Sequence, residues 1–79
     1  MEKVKKERIM KVQILSKNDL PNIEKIQKEF DIFRVVKVKT REKLDMVEFF
    51  NKDGAFRGFG RDTKAAYKKA KKVLKKHYK

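Results

Sequence analysis

Apolar positions change their spacing twice along this chain, and each change marks a boundary between predicted elements. Leu20, Ile23, Ile26, Gln27 and Phe30 recur at i, i+3, i+6, i+7 and i+10, a one-sided stripe that predicts a helix from about Pro21 to Phe30. Asn18 or Asp19 can cap it, Pro21 suits its first turn, and Glu24 and Lys28 form an i,i+4 pair in the favourable order. From Phe33 the period becomes two. In "FRVVKVKT" (33–40), Val36 and Val38 fall on one face and Lys37 and Lys39 on the other, a strand. "REKLD" reads as a turn and "MVEFFN" (46–51) as a second strand. "NKDG" (51–54) is a hairpin signal, because Gly54 can take the positive φ that such a loop needs. "AFRGFG" (55–60) is a short third strand, whose glycines weaken pairing and let another backbone come close. A turn through Gly58-Phe59-Gly60 then leads to a second helix, capped by Asp62 or Thr63. Its predicted buried stripe is Ala66, Ala70, Val73, Leu74, His77 and Tyr78. Upstream, Ile9–Ser16 alternates weakly, with Met10, Val12 and Ile14 on the apolar side. It reads as a strand or as the continuation of a helix from Met1. Residues 1–8, "MEKVKKER", are aperiodic and read as a mobile arm or a frayed helix.

The predicted fold is therefore α+β in the order α-β-β-β-α. A three-stranded antiparallel sheet carries two helices on one face, with a basic N-terminal extension that includes a possible extra strand. The expected division is an extension over 1–19 and one domain over 20–79. A chain of 79 residues suffices for one domain, not two. The opening Met1 predicts a complete small protein.

Charge changes this picture most. The net charge is +13, from 24 basic and 11 acidic residues. It is uneven: residues 1–17 carry +4, residues 18–45 carry +1 and residues 46–79 carry +8. So lopsided a field attracts polyanions, and nucleic acid is the commonest one inside cells. A membrane surface is disfavoured, since basic membrane helices usually present Trp, Leu or Phe opposite their charges, whereas this one presents mainly Ala, Val and Leu. With no cysteine, disulfides and Cys-ligated zinc are excluded. No long apolar run suggests a signal peptide or spanning helix, so the expected location is the cytoplasm.

The stretch "GFGRDTKAAYKKAKKVLKK" (58–76) carries the candidate chemistry. A helix N-terminus offers unpaired N–H groups and a positive dipole end, both suited to an anion. Lys64 in the first turn and Arg61 just before it oppose that dipole, an arrangement that an external phosphate would satisfy. Behind them, Lys64, Lys68, Lys71 and Lys75 form one ridge, and Lys69, Lys72, Lys76 and Lys79 a second. The competing reading is that the glycines only end a strand and the lysines only solvate a thin domain.

"GFGRDTKAAYKKA" resembles the C-terminal signature of the double-stranded RNA-binding domain, G-x-G-x-S-K-K-x-A-K-x-x-A. Gly58 and Gly60 fall on its glycines, Asp62 on the serine, Thr63 and Lys64 on the first two lysines, and Tyr67 on the third. Ala66 and Ala70 fall on its alanines. That family's element order matches the one predicted for residues 20–78. The resemblance implies non-enzymatic binding of structured RNA, with Lys64 on phosphates and Arg61 and Lys68 compensating for the other two positions. The family's loop between the first two strands carries Gly-Pro-x-His; the corresponding "TREKLD" has neither Pro nor His. Glu24, Gln27 and Lys28 are the polar candidates on the first helix.

"NKDGAFRGFGRDTKAA" also resembles the small DNA-binding domains at the N-termini of tyrosine recombinases, which set a three-stranded sheet in the major groove. That likeness implies a contact set of Arg34, Lys37, Lys39 and Arg57. A third reading is a basic subunit that docks on a ribosome or another ribonucleoprotein. The expected binding residues are thus Arg61, Lys64, Lys68, Lys71, Lys72 and Lys75, with Arg57, Lys37 and Lys39 on the sheet and the N-terminal arm adding reach. No catalytic residue, metal site, cofactor or small-molecule substrate is expected. His77 lies on the apolar stripe, and neither Asp45 with Glu48 nor Asp19 with Glu24 converges with a third group. Of Phe33, Phe49, Phe50, Phe56 and Phe59, most are expected in the core. Together they could form a sheet platform for stacking bases, and single-strand binding gains weight if Phe50 is exposed.

Overall fold

The computed structural model describes residues 12–79 of the chain. Its elements are β1 (Val12–Ile14), α1 (Ile23–Phe30), β2 (Arg34–Lys39), β3 (Asp45–Asn51), β4 (Gly54–Gly60) and α2 (Thr63–His77). The strands form one antiparallel sheet in the order β1-β2-β3-β4. The α+β class holds, but the sheet has four strands rather than three. The fourth is β1, which lies in the expected N-terminal extension. It pairs Val12 with Val38 and Ile14 with Val36, and Leu15 N–H donates to Val35 O at 2.8 Å. The sheet and the core cluster thus include residues upstream of residue 20. Residues 9–11 of the expected strand, and the arm over 1–8, lie outside the described residues.

The register decides which residues enter the core, because successive strand side chains point to opposite faces. Val35, Val47, Phe49 and Phe56 share one face, and Phe49 sits opposite Phe56. Ile23 and Ile26 of α1 and Ala66, Tyr67, Ala70 and Leu74 of α2 pack on that same face in a single cluster. Leu15, Leu20 and Ile32 join it from the connections. The apolar side of β1 takes the opposite orientation: Val12 and Ile14 are 61% and 65% exposed, while Leu15 is buried. Alternation revealed the strand but not the direction its apolar side faces.

Local chemistry sets the ends of the elements. Helix α1 begins at Ile23, two residues later than Pro21, because Asp19 is occupied elsewhere: its carboxylate accepts from Ser16 N–H at 2.9 Å and closes a turn. Asp31 ends α1 in the left-handed region, and its N–H caps Gln27 O. Asn51 Oδ1 accepts from Asp53 N–H at 2.8 Å across the hairpin, and Gly54 adopts φ +137°. Strand β4 runs through Gly60, so Gly58-Phe59-Gly60 is strand rather than turn. Both glycines face α2. A Cβ at Gly58 would collide with the backbone of Lys69 and Ala70, and one at Gly60 would lie 2.5 Å from Ala66 N. Bare backbone on the strand lets the helix settle directly on the sheet.

Candidate nucleic-acid interface

Helix α2 carries seven lysines and no acidic side chain over Thr63–His77. Contact with β3 and β4 rotates Ala66, Tyr67, Ala70 and Leu74 inward. The buried stripe therefore differs from the expected one. Tyr67 replaces Val73, His77 and Tyr78, and Val73 is 44% exposed. Tyr67, Ala70 and Leu74 follow i, i+3 and i+7, so the sequence did carry this alternative. Tyr67 meets Phe49 edge-on at 5.7 Å between ring centroids, and burial raises its hydroxyl pKa above the ordinary value. A position aligned with a family lysine thus serves the core, and no phosphate contact comes from it.

At 100° per residue, the lysines fill the rest of the helix circumference. Lys68, Lys71, Lys72 and Lys75 surround one shallow concavity with Ala65 and Lys69. The Lys71 ammonium sits over the Tyr67 ring, 5.3 Å from its centroid, a cation–π contact. Lys71 and Lys75 also border a groove shared with Asn22, Lys25 and Glu29 of the α1 segment. Lys25 was not among the expected residues. No local pattern links it to α2; only the packing of two distant segments brings it there. Among the described residues, no α2 lysine is paired with a carboxylate.

Asp62, one of the two expected caps of α2, accepts from Ala65 N–H at 2.9 Å. Thr63 Oγ1 donates to Asp45 Oδ2 at 3.0 Å, and Asp45 Oδ1 lies 2.8 Å from Lys39 Nζ. The bonded Lys39 ammonium holds the Asp45 carboxyl below its usual range; burial opposes this and the Thr63 hydroxyl reinforces it. The dipole end therefore already has a negative partner in the Asp62 carboxylate. Arg61 and Lys64 are exposed beside Asp62, and neither borders the concavity lined by Lys68 to Lys75.

The sheet residues also separate. Arg34 and Arg57 share the parity of Val36 and Glu48, on the face away from the helices, whereas Lys37 and Lys39 lie on the helix-bearing side. Arg34, Lys37, Lys39 and Arg57 therefore cannot act together on one face, and Lys39 is engaged with Asp45. Arg57 Nε donates to Glu48 Oε2 at 3.3 Å directly across the strands. Of the aromatics, Phe49 and Phe56 are buried, Phe50 is half-buried, and Phe59 and Phe33 are 42% and 69% exposed. The His77 ring packs 5.0 Å from Phe56. Among the described residues, no three His, Cys, Asp or Glu side chains cluster as metal ligands, and no helix is long and apolar enough to cross a membrane. Comparison with family models, curated proteins and solved structures finds no match.

Proposed function

We propose that this protein is a non-enzymatic binder of double-stranded or structured nucleic acid, with RNA preferred, acting through phosphates. The observation that carries the reading is the seven-lysine helix without an acidic side chain, turned so that Lys71 is half-buried and its other six lysines are exposed. Lys68, Lys71 and Lys75 are the central contacts, with Lys25 extending the surface onto α1 and Lys72 adding to its breadth. Arg61 and Lys64 act at its margin, outside the concavity. The preference for RNA rests on the likeness of "GFGRDTKAAYKKA" to the double-stranded RNA-binding signature, on two helices that share one sheet face, and on the Gly–Ala contact between β4 and α2.

The test is a competition titration at physiological salt. A labelled RNA duplex of ~20 base pairs, longer than the ~16 that a double-stranded RNA-binding domain spans, competes with the same sequence as DNA and as a single strand. A preference for the RNA duplex is expected. Equal or better binding of DNA overturns the RNA assignment. Weak binding of every naked duplex, lost by moderate salt, favours docking on a larger ribonucleoprotein.

A further inference from the structure

The two lysine ridges of α2 share one concavity but each also borders a groove that the other does not. The ridge of Lys68, Lys71 and Lys75 faces solvent and α1. Lys69, Lys72 and Lys76 line a groove between α2 and β4, together with Val73 and with Arg57, Gly58 and Phe59 of the strand. The lining of this groove is mainly apolar. Phe59 points away from the helices, opposite Met46 on β3, and is 42% exposed at the edge of the sheet. Glu48, which accepts from Arg57 Nε, is itself buried and presents little negative charge beside the groove.

A duplex shields its base faces, so a blunt helix has no use for an exposed phenylalanine that shares a groove with a row of lysines. A single strand does: a base stacks on the ring while its flanking phosphates meet the ammonium groups. We propose that the β4–α2 groove seats a single-stranded nucleotide segment, with Phe59 as the stacking surface, Val73 as apolar lining, and Lys69, Lys72, Lys76 and Arg57 as phosphate partners. Lys72 borders both this groove and the concavity of the first ridge, so a strand leaving a duplex on the first ridge passes directly into the groove. The preferred ligand is then a duplex with a single-stranded extension. This inference rests on the duplex reading above, and the experiment separates the two.

The probes are a blunt RNA duplex of ~20 base pairs, the same duplex with a single-stranded extension of about six nucleotides, the same extension without bases, and the free single strand. The base-bearing extension is expected to tighten binding about tenfold, since one stacked base contributes that much. The abasic extension should recover little of the gain. Phe59→Ala should abolish the gain and leave blunt-duplex affinity unchanged; Val73→Ser, an exposed and uncharged substitution in the groove lining, should do the same if Phe59→Ala disturbs the sheet. Equal affinity for blunt and extended duplexes overturns the groove proposal, as does a full gain from the abasic extension or a gain that survives both variants. Absence of blunt-duplex binding, with tight Phe59-dependent binding of the free strand, overturns the duplex reading and leaves the groove standing.

Discussion

Gly58 is the residue whose side chain, one hydrogen, does most to shape the molecule. It lies where α2 crosses β4, and any Cβ would have to push into the helix backbone at Lys69 and Ala70. Gly58→Ala is expected to destabilise by ~3 kcal/mol, the upper end for overpacking, and to lower Tm in thermal melts by more than ~10 °C for a domain of this size. Gly54 is required for a different reason: its surroundings are open, but φ +137° suits glycine alone. Asp45 is the other residue with an outsized role. Its carboxyl is held below the ordinary value of 3.8 by the Lys39 ammonium. A depressed carboxylate contributes stability that is present in full above the unfolded value and is lost as pH falls through the lower, native one. Unfolding measured from pH 6 downward should therefore show an acid-side loss below about pH 3.8 that Asp45→Asn removes. Unchanged pH dependence in that variant would place the acid-side loss on other groups.

At the scale of the elements, α2 is a helix held by its packing against its own charge. Like charges at i, i+4 each cost ~0.2–0.5 kcal/mol, and Lys64–Lys68, Lys68–Lys72, Lys71–Lys75 and Lys72–Lys76 are such pairs. Two features hold the helix against this repulsion. Small residues seat it on β4, and Tyr78 at its C-terminal end donates its hydroxyl proton to Asp53 and accepts from Asn51 Nδ2, which also donates to Phe30 O. The far end of α2 is thereby tied to the β3–β4 hairpin and to the end of α1. Tyr78→Phe should fray the last turn, seen as faster amide exchange near Leu74–His77 with little change at Ala66. Added salt should have the opposite effect on stability from its effect on binding: screening of the lysines raises Tm of the free protein between 50 and 500 mM monovalent salt. A Tm that falls over this range would mean that attractive pairs outweigh the repulsion.

For the whole molecule, the asymmetry of charge is the dominant property. Residues 46–79 carry +8 of the total +13, and the fold gathers most of that onto one helix. Binding of a duplex should weaken steeply with salt, and each phosphate contact removed should reduce the slope of log K against log salt by about 0.9 on B-form DNA, with a similar sense on RNA. Lys71→Ala and Lys75→Ala are each expected to reduce that slope by about one and to weaken binding alike for all sequences. Lys64→Ala should change it less, because Lys64 lies outside the concavity lined by Lys68, Lys71, Lys72 and Lys75.

Both helices, the hairpin at Gly54 and the two lysine ridges were legible along the chain, because each depends on spacings within a few residues or on a single turn chemistry. The Asp62 cap was legible too. The face chosen by each strand, the burial of Tyr67 in place of Val73, the approach of Lys25 to Lys71, and the separation of Arg57 from Lys39 all depend on register and on contacts between segments far apart in sequence. Period-two alternation has two equivalent assignments of inside and outside, and a helix with apolar residues on more than one arc can turn either arc inward. Pairing β2 with β3 and seating α2 on the bare backbone of Gly58 and Gly60 select one assignment for each. That selection puts Phe59 and Val73 beside Lys69, Lys72 and Lys76 in one groove and sets Lys71 and Lys75 against α1 in another.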